Sequence, residues 1–239
     1  VHRRILHDRS EVKDARELDA FRREYFRQHT RLCPEDAASM GLPIVSFSDD
    51  SEAGLADRLA LHSAAVEALV SDFPDDATSD DALDVFAMSC LSRSTARALG
   101  SGRARASVEP SAIPQSLVAH LVRHAETQEE WQSLVALVAD VPRFYAEREE
   151  GLLASARAGY VQDARIAECF GSFALPGALG FFETLPALAA SSPLSSSEKA
   201  VLERASLSAR DAAAKHATVV GSLPSVADRG RLGREEYLV

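Results

Sequence analysis

Thr127 stands three residues ahead of Glu130, and Trp131, Leu134, Val135, Val138 and Val141 follow at spacings of three and four. Few patterns restrict a chain more. A threonine hydroxyl can accept a backbone N–H of the first turn while the glutamate reaches back to the cap residue, so a helix is predicted to begin at about Gln128. Its apolar spacing commits one face to a core. Pro142 has no amide hydrogen and disfavours helix at the residue before it, which predicts a tight corner at Asp140–Pro142 and a new helix over Arg143–Ala158. That helix carries Tyr145, Leu152, Ala156 and Tyr160 inward and turns Glu147, Arg148, Glu149 and Glu150 toward water. Gly159 is placed to close it in a left-handed turn.

Upstream, Ser116–Ala125 reads as a shorter helix with Leu117, Val118, Leu121 and Val122 along it. It also carries His120 and His124, four apart, the spacing at which two imidazoles on one helical face can share a metal. The HExxH pattern of zinc peptidases needs a glutamate where this chain has Leu121, and Glu126 is too near His124 in sequence to share its face. The pair reads as two polar side chains on the surface before it reads as a metal site. No catalytic, cofactor-binding or metal-ligating residue is therefore assigned.

The remaining segments also have helical periodicity. Ser10 begins a helix with Leu18, Phe21, Tyr25 and Leu32 as its apolar stripe, which Pro34 stops. Leu42–Ser48 is the one short extended segment, an irregular connector in preference to a strand. Ser51 caps a helix over Glu52–Val70 that aligns Leu55, Leu59, His62, Val66 and Leu69. His62 reads as a hydrogen-bonded core or boundary residue. Asp75, Asp76, Asp80 and Asp81 precede a helix from about Ser79 to Leu99; they lack the bidentate glutamate and central glycine of a calcium loop and complement a helix dipole instead. Residues 100–115 are the most linker-like stretch. Asp163–Phe173 reads as a short helix with Ile166, Phe170 and Phe173 inward, and the ALPGALGFFETLP run after it as irregular but buried, with Phe181 and Phe182 demanding cover. Ser195 and Glu198 form a second capping box for a helix to about Val220, with Val201, Ala205, Ala209, Ala212, His216, Val219 and Leu223 along one side. The expected fold is all-α, a single domain over 1–239 built as an antiparallel array of about eight helices.

Composition narrows the functions. The apolar share of 46% and charged share of 26% are those of a globular chain. A formal charge of -10 opposes binding to a phosphate backbone, so no nucleic-acid partner is expected. There is no apolar leader and no unbroken run of about 18 apolar residues, so no membrane partner is expected either. Cys33, Cys90 and Cys169 are odd in number and widely spaced, which fits reduced thiols in a cytoplasm, with Cys90 and Cys169 as small core residues.

Three stretches, in this order, resemble the N-terminal part of a bacterial family, the domain of unknown function numbered eight hundred and eighty-five: PEDAASMGLP at Pro34–Pro43, the run from Thr127 to Val161, and the AAAKHATVVGSLPSVADRGRLGREEYL tail. The resemblance implies a longer all-helical protein, regarded as a zinc metallopeptidase or carboxypeptidase-like enzyme because its second half carries HExxH. No HExxH occurs in this chain, so the resemblance implies zinc in the missing half and none here. The Val1 start and the GREEYLV ending, where a helix would begin, fit a fragment of such a protein. The expected function is a non-catalytic N-terminal helical half that forms part of a substrate cleft for peptides with a missing C-terminal half or a complementary chain. The alternative is a stand-alone helical binding or scaffold module. A self-contained metal enzyme using His120 and His124 stands a distant third.

Overall fold

A computed structural model of the chain describes residues 15–72, 80–100, 113–159 and 162–226. It is all-α, as expected. The N-terminal group comprises α1 (Ala15–Leu32), the short α2 (Pro34–Ser39), α3 (Glu52–Asp72) and α4 (Asp80–Gly100). The C-terminal group comprises α5 (Ile113–Val122), α6 (Gln128–Arg157), α7 (Ala164–Cys169), α8 (Leu175–Leu188) and α9 (Ser196–Ser222). Among the described residues the one sheet is a two-residue parallel pairing of Gln162–Asp163 with Ser225–Val226. Helices α3 and α4 pack together with α1 against α3, and α9 lies between α6 and α8.

Helix α6 is the spine. Its predicted capping box is present: Glu130 N donates to Thr127 Oγ1 at 3.2 Å and Thr127 N to Glu130 Oε2 at 2.9 Å. The expected corner at Pro142 is absent, because the helix runs through it for 30 residues. An interior proline costs about 3 kcal/mol, but Val138, Val141, Phe144 and Tyr145 on both sides of it are buried in one core cluster. Each such side chain contributes about 1.5–3 kcal/mol on burial, so packing on both flanks outweighs the lost hydrogen bond. Gly159 ends the helix at φ +87, the left-handed conformation its position calls for.

The expected charged face of α6 also needs correction. Arg148 and Glu149 are buried, not turned to water, because the connector between α2 and α3 and the last helix α9 both lie against that side.

From Ala164 the chain forms one helical segment in place of a short helix followed by an irregular run. Helix α7 passes through a π-helical turn, Phe170–Ala174, into α8. Pro176 sits in the first turn, where its missing N–H has no partner to lose, and Pro186 is carried inside the helix. The π turn inserts extra backbone and rotates the helix beyond it. Ala178, Phe182, Leu185 and Ala189 are buried in the main core and Phe170 with Leu152, Val220 and Leu223, while Ile166 and Phe173, expected inward, are 41% and 77% exposed. In α9 the capping box of Ser195 and Glu198 is present, and Ala205, Ala209, His216 and Leu223 are buried as predicted; Val201 is exposed, and Leu202, Ala213 and Val220 carry the face in its place.

In the N-terminal group α1 ends before Pro34, which opens α2. Residues 42–48 form the expected connector, with Ile44 and Phe47 buried against α6. Ser51 Oγ accepts Gly54 N in the first turn of α3. Gly54 is required there, since a Cβ would stand 2.1 Å from Asp49 O. Cys90 and Cys169 are exposed, contrary to the core roles expected of them; each sits on the outer side of its helix. Gly100 and residues 113–115 are helical, which leaves 101–112 of the expected linker. That stretch, the acidic turn at Asp75 and Asp76, the start at Ser10, Tyr160 and the GREEYLV tail lie outside the described residues.

Candidate functional site

Three groups of polar side chains lie inside the helical array, and each is held by a different set of elements. The first joins the two helical groups. Asp140, Arg143 and Glu147 share a face of α6. Arg143 Nη2 donates to Asp140 Oδ2 at 2.7 Å and to Phe47 O at 2.8 Å, and its Nη1 to Glu147 Oε1 at 2.7 Å. The two carboxylates accept connector amides, Phe47 N at 2.8 Å and Asp50 N at 2.9 Å. One turn further, Asp50 receives Arg58 of α3 at 2.5 Å and the buried Arg148 of α6 at 3.1 Å. Ser48 donates to Glu35 of α2 through both its amide and its hydroxyl. With each of these contacts made within the fold, the network serves as a clamp.

The second group surrounds His216 of α9, which is fully buried against the rings of Tyr145 and Phe170. Burial pushes its imidazole down to about 3, and Arg148 and Lys215 add to the effect. The Glu149 carboxylate lies 3.9 Å from Nδ1. It is already engaged by Lys215 Nζ at 2.6 Å, so His216 stays neutral. The sequence expectation of a core histidine describes it.

The third group lies where α1, α2, α3 and α4 meet. His62 of α3, the other histidine expected in the core, is 1% exposed. Its Nδ1 is 3.2 Å from the Tyr25 hydroxyl, which is 3.3 Å from Ser92 Oγ on α4. Burial pushes His62 down to about 4, with His29 and Arg58 nearby in the same direction. The chain Ser92–Tyr25–His62 resembles a nucleophile with a base behind it. Ser92 is wholly buried, however, and a hydroxyl sealed from solvent cannot meet a substrate. The His29 ring lies against both Tyr25 and His62, with centroids 5.8 Å and 5.6 Å away. His29 Nε2 is 2.8 Å from Asp36 Oδ2, and that contact holds the Asp36 carboxyl below its usual range. Cys33, between them, has its thiol pushed up to about 12 by burial. Ligand atoms of His29, Cys33 and Asp36 all lie within 4.8 Å of one another.

Sequence reading did not single out this last group. Its trace is the spacing of four and then three from His29 to Cys33 to Asp36, which looks ordinary until Pro34 is seen to start a new helix at the corner. His120 and His124, whose spacing allows a shared metal, have ring centroids 4.9 Å apart. Leu121 lies between them in sequence, and among the described residues no third ligand joins them. Two imidazoles alone do not make a zinc site, and the zinc that the resemblance implies belongs to the missing half.

No family model matches the chain, and no curated protein matches it.

Proposed function

We propose that this chain is a non-catalytic helical half of a zinc-metallopeptidase-like protein, forming part of a substrate cleft with a complementary segment that carries the HExxH zinc site. The reading rests on the resemblance of three stretches in their order. The physical observation that supports it most is the apolar outer side of the α7–α8 segment. Over Ala164–Ser191 the helix is apolar enough to cross a membrane by length and composition, yet 22% of that apolar window is buried. Ile166, Phe173 and Leu188 are exposed on it. Apolar surface of this kind marks interaction sites, and a helical wall of a cleft would be covered there. Phe182 is buried, so Phe173 carries the largest exposed ring of this segment.

Mixing the purified chain with a separately produced HExxH-bearing half from a family member tests this reading by sedimentation and by peptide hydrolysis. The expected result is a one-to-one complex, with chelator-sensitive hydrolysis only when the HExxH half is present. Hydrolysis by the chain alone, or no association, overturns it.

A free-standing binding module without enzymatic activity is favoured by one observation, the core cluster that closes around α6 from Trp131 to Tyr145. A single cooperative thermal transition without any partner supports this second reading. A chain that binds hydrophobic dyes and melts without cooperativity opposes it.

A further inference from the structure

The corner between α1 and α2 has no part in either function above. We propose that His29, Cys33 and Asp36 bind a divalent first-row transition ion, zinc by preference, with His62 turning in as the fourth donor.

The donor set is one nitrogen, one sulfur and one carboxylate oxygen. Calcium and magnesium take oxygen ligands, whereas imidazole, thiolate and carboxylate together suit zinc. The three ligand atoms lie within 4.8 Å of one another. Donors at about 2.0–2.3 Å from a tetrahedral ion stand roughly 3.3–3.8 Å apart, so the group closes on the ion by about one ångström. Its frame is two helix ends joined at a single residue: His29 and Cys33 are one turn apart, and Pro34 turns the chain so that Asp36 returns to His29.

A second observation points to a missing ligand. The hydrogen bond between His29 and Asp36 satisfies one nitrogen of that imidazole, while its Nδ1 is buried without a partner. In the neighbouring ring, Nδ1 of His62 meets Tyr25 and Nε2 is buried without a partner. Leaving a buried polar atom unsatisfied costs about 1–3 kcal/mol, and two in adjacent rings is unusual. When His62 donates from Nδ1 to the Tyr25 oxygen, the lone pair sits on Nε2, the arrangement outer partners impose on metal-bound histidines. His62 lies outside the 4.8 Å triangle, so its side chain must shift toward the other three, with Nδ1 kept on Tyr25, to complete the site. Asp36 is exposed and gives the ion a way in. Of the nearby cations, Arg58 is already paired with Asp50. On binding, the Cys33 thiol releases its proton to solvent and ligates as thiolate.

Cobalt(II) titrated into the full chain tests the site by absorbance. The expected spectrum has intense d–d bands of a tetrahedral ion and a thiolate-to-cobalt charge-transfer band, both removed by stoichiometric zinc. Cys33→Ser should abolish the charge-transfer band, while Cys90→Ser and Cys169→Ser leave it intact. His29→Ala should weaken zinc binding by more than the roughly 10–100-fold that outer-shell partners are worth. His62→Ala should convert the tetrahedral bands to weak bands of higher coordination, and an unchanged spectrum there removes His62 from the site. A wild-type chain with no charge-transfer band, or one whose band survives Cys33→Ser, overturns the proposal whether or not any variant folds.

Discussion

The two helical groups differ in how much apolar interior they hold. Around α6 the interior is apolar and continuous, from Val118 and Trp131 through Phe144 to Phe182 and Ala213. Between α1, α3 and α4 the described apolar cluster is Leu18 and Leu69, with Phe21 and Met88 against it. The same interior also holds His62, Ser92, Arg58 and Tyr25. Apolar burial is the dominant favourable term in folding, so the C-terminal group should carry most of the stability. Both groups also bury polar side chains, His62 and Ser92 in the N-terminal one and Arg148, Glu149, Ser206 and His216 in the C-terminal one, so the size of the apolar cluster is what separates them.

Four experiments sharpen or break this contrast. Phe144→Ala, at the centre of the apolar group, should cost about 3–5 kcal/mol in denaturant unfolding. A loss below about 1 kcal/mol would mean that α6 is not the spine. Arg148→Ala should cost about 3 kcal/mol or more, because it leaves the buried Asp50 with one cation instead of two. If the two groups are separate folding units, this change should also split one unfolding transition into two.

Acidification should weaken the C-terminal group through His216. Its folded pKa of about 3 lies below the ordinary 6.5, so the unfolded chain takes up the proton first. The stability is complete above about pH 6.5 and falls as pH drops toward 3, by a few kcal/mol in all. The groups that face it, Glu149, Lys215 and Arg148, leave that sign unchanged. His216→Leu should flatten the fall measured between about pH 7 and about pH 4, and an unaltered slope would assign it to other groups. The smallest effect belongs to Thr127→Ala, about 1 kcal/mol from the lost cap of α6, with no change in metal binding at the α1–α2 corner.

The sequence was most legible where one residue decides local geometry. The capping boxes at Thr127 and Ser195, the stop at Pro34 and the left-handed Gly159 need no knowledge of the rest of the chain, and each stands as predicted. Tertiary contact decided the rest. Pro142 stays inside a helix because both of its flanks are buried. Arg148 and Glu149 are inside because Asp50 and Lys215, distant in sequence, meet them. Phe173 faces outward because a π turn shifts the phase of its helix, which a period of about 3.6 residues cannot foresee. The candidate metal group was hidden for the same reason: Cys33 reads as a lone thiol until the corner folds Asp36 back onto His29.

Amide hydrogen exchange on the full chain, with and without zinc, tests the contrast between the two groups most directly. Amides of α6, α8 and α9 should exchange only through global unfolding, those of α1 and α3 through a lower-energy opening, and zinc should slow α1, α2 and α3 alone. Equal protection in the two groups before zinc, or zinc protection spread evenly over the chain, would contradict it.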